Sequence, residues 1–146
     1  MSISKVFYAL LNDKSATFES ANIQDDFAVF YGHLRQHVRK CPCCQSQDVH
    51  IKETKERVFR MLNLGSKRTY LKINTYKVWC HRCDVKAWLK LPFTIGKLPM
   101  TKSFIQYIVQ LTSMTTLLAV AIFLGIQWNT VKNIDNALPP KNWTVE

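Results

Sequence analysis

Cys41-Pro42-Cys43-Cys44 and Cys80-His81-Arg82-Cys83 are two C-x-x-C pairs separated by 35 residues, and their reading decides the fold. A C-x-x-C turn aims two thiolates at one tetrahedral centre. Two such turns complete a four-cysteine structural site with Zn–S bonds of about 2.3 Å. The interval exceeds the roughly 15–20 residues of the commonest pattern, so it must hold a hairpin rather than a tight loop. A redox dithiol would need one pair only, in a strand–helix context that neither pair has. A disulfide framework belongs to an oxidising compartment. The start of the chain, residues 1–12, has neither the apolar core nor the small-residue cleavage site of a signal peptide. The residues therefore predict one structural Zn2+ held by Cys41, Cys44, Cys80 and Cys83. Cys43 is the odd thiol outside that set, and His81 points away from the metal. His37 could become a ligand only by displacing a cysteine.

The interval itself reads as β structure. Residues 57–64 run into the turn signal Gly65-Ser66-Lys67, and residues 69–79 are rich in Tyr, Ile, Thr, Val and Trp. Zinc-holding turns at the ends of antiparallel strands make a zinc ribbon. So small a sheet buries little apolar area, and the metal must supply much of its folding free energy.

Charge follows the same division. The chain has 146 residues with 20 Lys+Arg against 10 Asp+Glu, a formal net charge of +10. Residues 1–37 carry a net −1, residues 38–91 a net +9 from thirteen basic and four acidic side chains, and residues 92–146 a net +2. Such an excess points to a polyanion, and its concentration in the middle third places the contact there. Lys55, Arg57, Arg60, Lys67, Arg68, Lys72, Lys77 and Arg82 are the expected phosphate-contacting residues. The most apolar run, residues 117–126, has ten residues where a bilayer span needs about 18–20, so no membrane contact is expected.

The last third predicts a helix-turn-helix. Two prolines and a glycine in residues 92–100 read as an extended linker. Thr101 can N-cap a helix whose Phe104, Ile105, Ile108, Val109 and Leu111 share a stripe. A polar break at 112–116 precedes a helix at about 117–124. Gly125 stops it, and a third helix runs from about 128 to 136. Gln127, Asn129, Thr130, Lys132, Asn133 and Asn136 then lie at its start and outer face. Amides can pair bidentately with adenine and lysine with guanine, so these are the expected base contacts. Trp128 fits either a core or a DNA contact. Residues 1–37 suit a helix to Leu11 and a strand or helix at 27–38, packing on the ribbon or mediating self-association.

Cys41-Pro-Cys-Cys44, Leu62-Asn-Leu-Gly65, Cys80-His-Arg-Cys83 and Ala121-Ile-Phe-Leu-Gly-Ile-Gln-Trp-Asn-Thr-Val131 together resemble the N-terminal region of bacterial insertion-sequence transposases of the ISL-three type. The resemblance covers residues 38–137. It implies binding to double-stranded DNA at the terminal inverted repeats of a mobile element, in the bacterial cytoplasm at the nucleoid. In that family a metal-dependent nuclease domain follows these modules. No such domain is expected within 146 residues, so the chain is expected not to be an enzyme.

The expected class is α+β, a β-rich four-cysteine zinc ribbon followed by an α-helical bundle. Its parts are residues 1–37, the ribbon at 38–91, the linker at 92–100, the helix-turn-helix at 101–138 and a tail at 139–146. A homodimer is one form such a protein could take. The competing functions are a protein-interaction ribbon and a transcriptional regulator with no part in transposition.

Overall fold

The computed structural model describes residues 2–137, and the tail expected at 139–146 lies outside them. Along the chain run α1 (Ile3–Leu11), β1 (Ala16–Ile23), β2 (Phe27–Leu34), a 3-10 turn (Gln36–Val38), β3 (Val49–Leu64), β4 (Lys67–Cys80), β5 (Val85–Trp88), α2 (Lys102–Thr112), α3 (Leu117–Leu124) and α4 (Trp128–Ala137). The five strands form one sheet in the order β1-β2-β4-β3, with β5 also on β4.

β4 organises this sheet. It pairs antiparallel with β3 from Leu64↔Lys67 to Val49↔Cys80. Its other edge is shared: β2 runs parallel to residues 68–73, and β5 antiparallel to residues 77–80. The first 37 residues thus supply a helix and two strands of the common sheet. The β2–β4 pairing joins segments 41 residues apart, as in Phe27↔Arg68. Thr69, Leu71, Ile73 and Thr75 alternate as the buried face of β4. Over that face Phe7 and Leu11 of α1 join Phe30, Phe59, Met61, Leu71 and Ile73 in one apolar cluster.

A second cluster belongs to the helices. Phe104, Ile105, Ile108 and Val109 of α2 meet Val120, Ala121 and Leu124 of α3 and Val131 and Ile134 of α4. The Thr101 hydroxyl accepts the Phe104 N–H and Thr116 accepts the Ala119 N–H, so both helices start on a side-chain cap. α3 ends at Gly125, whose φ is +68°. That positive φ is what requires glycine, and the Arg68 guanidinium lies beside it, where a flexible side-chain end could move aside for a Cβ.

Residues 92–100 do not form the extended linker that their prolines predict. Phe93 and Met100 are buried, one in each cluster. The Arg60 N–H donates to Pro99 O and the Thr101 N–H to Arg60 O, both at 2.9 Å. β3 is an edge strand with unpaired backbone groups, and the connecting segment satisfies two of them. Ser103 Oγ then donates to Leu10 O, which ties the start of α2 to α1.

Candidate metal centre and nucleic-acid interface

The two C-x-x-C turns form at opposite ends of the sequence interval and meet in space. In the first, Gln45 N–H donates to Cys41 O, Cys41 N–H to Ser46 O, and Cys43 N–H to Cys41 Sγ at 3.4 Å. Gln45 takes φ +65° to close the loop. The second turn leaves β4 at Cys80 and returns as β5, with Asp84 at φ +54° and its carboxylate accepting the Trp79 indole N–H at 2.8 Å.

The four sulfurs of Cys41, Cys44, Cys80 and Cys83 lie within 4.8 Å of one another. Cys41–Cys83 and Cys44–Cys80 approach to 3.4 and 3.5 Å. A tetrahedron with bonds of about 2.3 Å has edges of about 3.8 Å, so the donor set fits zinc in chemistry and in size. One structural Zn2+ belongs here. Cys43 is exposed and outside the cluster, and all five cysteines are unbridged. The His81 ring lies against His50 and Trp79, with centroids at 4.4 and 4.1 Å.

The electrostatics suit metal capture. Hydrogen bonding to the Cys44 amide, then to the Cys43 amide, outweighs burial and holds the Cys41 thiol down at about 6. Cys83 shares its hydrogen bond with the Cys41 sulfur, is also desolvated, and is pushed up to about 12. The metal-free site thus holds one thiol low and its neighbour high, and metal binding must displace the proton of the second.

Residues 37–83 match the family model described as the zinc-finger of transposase IS204/IS1001/IS1096/IS1165. The chain carries a transposase-type zinc ribbon. The matched segment is about a third of the chain and holds all four ligands. No curated protein and no solved structure matches the chain.

Around the ribbon, the basic side chains do not share one face. Strand alternation puts Arg68 and Lys72 on the side of β4 opposite Thr69, Leu71 and Ile73. Lys77 falls on the other side, with Lys55 and Arg57 paired to Thr75 and Ile73. Lys67 Nζ donates to the carbonyls of Gln24 and Asp25 at 2.6 and 2.9 Å, and Arg82 is exposed in the second zinc turn.

Arg60 corrects the phosphate-contacting set. It is 7% exposed, with Nη2 donating at 2.9 Å to both Leu124 O and Asn63 Oδ1. Its guanidinium sits 4.9 Å from the Phe104 ring. Committed to the helices, it cannot reach a phosphate.

Gln127 just before α4 and Asn129, Lys132, Asn133 and Asn136 on it are exposed and Thr130 is half-buried, while Val131 and Ile134 face the core. Trp128 is exposed too, and the Lys132 ammonium lies 5.0 Å from its ring centre. The residues that sequence reasoning missed are the junction pair Arg60 and Arg68 and the exposed Trp88. Even positions along β3 and β4 separate both from Lys55, Arg57 and Lys77 but not from Lys72, and no local signal marks the burial of Arg60.

Proposed function

We propose that the chain is a zinc-dependent, site-specific double-stranded DNA-binding protein. In this reading α3 and α4 are a helix-turn-helix, α4 enters the major groove, and the basic ribbon holds phosphates. The supporting observation is the two-sided α4: Val131 and Ile134 are buried, while Asn129, Lys132, Asn133 and Asn136, with Gln127 just before the helix, face solvent. Polar side chains one turn apart on a supported helix are what base-edge recognition needs. The match of residues 37–83 to a transposase zinc finger favours the terminal inverted repeats of a mobile element as the target. We assign the chain binding and positioning at the bacterial nucleoid, without strand-cleaving chemistry of its own.

The test is selection of duplexes from a random pool, followed by titration of selected and scrambled DNA at several salt concentrations. Asn129→Ala and Asn133→Ala should each narrow the preference by roughly 1–3 kcal/mol. An unchanged preference would reduce α4 to a packing element. Specific nicking of supercoiled DNA with Mg2+ or Mn2+ would refute the assignment of binding alone.

A second reading, protein interaction, has its own observation. Met114, Leu118, Ile122 and Phe123 are 57–75% exposed along and just before α3. Contiguous exposed apolar side chains of this kind mark association surfaces, for a second copy of the chain or for another protein. A flat dependence of log affinity on log salt would favour this reading over DNA.

A further inference from the structure

Beside the first zinc turn opens a groove of about 1020 Å3, walled by that turn, the end of β5 and the connecting segment that follows it. Trp88 stands in it 41% exposed, outside both apolar clusters. Four cations line it, Lys40, Arg57, Lys90 and Lys97, and no acidic residue does. Leu89 and Leu91 anchor the wall through the first cluster. Arg57 is held with its guanidinium 4.6 Å from the Phe59 ring, so its charge is fixed at the rim rather than free in solvent.

We propose that this groove binds a single-stranded nucleic-acid segment, with Trp88 stacking on an unpaired base and the four cations meeting the flanking phosphates. Charge complementarity makes the ligand a polyanion. The indole makes it one that carries flat apolar rings, which a free phosphate or a purely acidic chain such as oligoglutamate lacks. Duplex DNA hides its base faces within its own stack, so only an unpaired base can lie on Trp88. The inference rests on the nucleic-acid reading of the chain but uses none of the α4 residues.

The experiment uses the full zinc-loaded chain and an oligothymidylate of about ten nucleotides, inside the range of roughly 4–16 that single-strand sites cover. Fluorescence anisotropy follows its binding beside that of a blunt duplex, with oligoglutamate as competitor. Trp88→Ala should weaken oligothymidylate binding by about tenfold and leave the blunt duplex unchanged, while Trp88→Phe retains most of the affinity. Lys90→Ala with Lys97→Ala should flatten the salt dependence for the single strand by roughly 0.7 for each phosphate no longer neutralised. Bound oligothymidylate should also slow alkylation of Cys43, the exposed thiol in the groove wall.

No effect of Trp88→Ala, equal losses on both DNAs, an unprotected Cys43 or tighter binding of oligoglutamate would each overturn the proposal. Asn129→Ala with Asn133→Ala serves as the separate control. It should abolish duplex preference without touching oligothymidylate, so failure of the groove and failure of the α4 reading give different results.

Discussion

Replacing Arg60 should loosen the helices from the sheet while leaving the zinc centre intact. Its Nη2 donates to the last carbonyl of α3, Leu124 O, and to Asn63 Oδ1. The final carbonyls of a helix lack partners within it and carry the negative end of its dipole, so a buried cation there both caps and neutralises. Opposing this, burial pulls the Arg60 pKa down from its usual value and Arg68 adds to the effect, while Tyr70 counters it. Its Nε is buried without a partner, which also reduces the net gain. A charged hydrogen bond contributes about 1.5–3 kcal/mol, and a buried carbonyl stripped of its donor costs about 1–3 kcal/mol. Arg60→Ala, which also leaves a cavity beside Phe104, should therefore destabilise by about 3 kcal/mol. Arg60→Met refills the space and should cost only about 1–2 kcal/mol, the share of the orphaned carbonyl. Urea unfolding of the zinc-loaded protein measures both. Hydrogen exchange then locates the loss, which should fall on α3 and α4 more than on α1, β1 and β2. Stability within about 0.5 kcal/mol of the parent for Arg60→Ala, or equal acceleration of exchange throughout, would refute the capping role.

Cys80→Ser should lose zinc and Cys43→Ser should keep one zinc per chain, as metal analysis of the purified variants will show. Zinc loading should fall as pH drops, because all four ligands bind as thiolates and protons compete with the metal; holding the Cys41 thiol down at about 6 keeps its thiolate available below the ordinary range and so moves that loss to lower pH. The raised Cys83 thiol should release its proton when metal binds, a heat that varies with buffer in titration calorimetry, and pH-independent loading would contradict both statements. Lys72 and Lys77 lie on opposite faces of β4, so Lys72→Ala and Lys77→Ala should not act alike. Only the one facing DNA should flatten the salt slope, by about one unit. Gly125→Ala should cost about 1 kcal/mol in urea unfolding, because the residue must hold positive φ.

Signals confined to a few neighbouring residues are legible in the sequence. The C-x-x-C spacing locates the four ligands, and Thr101 and Gly125 bound helices that the structure places at nearly the expected positions. Pairing across distance is not legible. Nothing in residues 27–34 announces a parallel partner 41 positions later, so the sequence suggests that the first 37 residues lie beside the ribbon rather than within its sheet. β5 has only four residues, too few for a period of two to stand out. Arg60 looks like its basic neighbours because its burial depends on where Leu124 and Phe104 arrive, which no local pattern encodes. The split of the basic residues is readable from odd and even positions along one strand. A tally of charge ignores that parity.

The long hairpin explains how one small chain can combine a metal centre and a helical unit. Zinc fixes one end of β4 at Cys80, whereas Arg68 lies against the α3–α4 turn at the other end. At about 3.3 Å per residue, residues 68 to 80 span roughly 40 Å along the strand. One turn of B-DNA is about 34–36 Å. If the proposed DNA reading holds, the ribbon and α4 would contact a duplex about a helical turn apart without a flexible tether between them. The pinned segment 92–100 serves the same end, since a free linker there would let α4 wander relative to the ribbon. Arg60 and the Pro99–Thr101 backbone pairing are the contacts that make that separation a fixed one, which is why the sheet commits a buried cation to the protein's own helices instead of to a ligand.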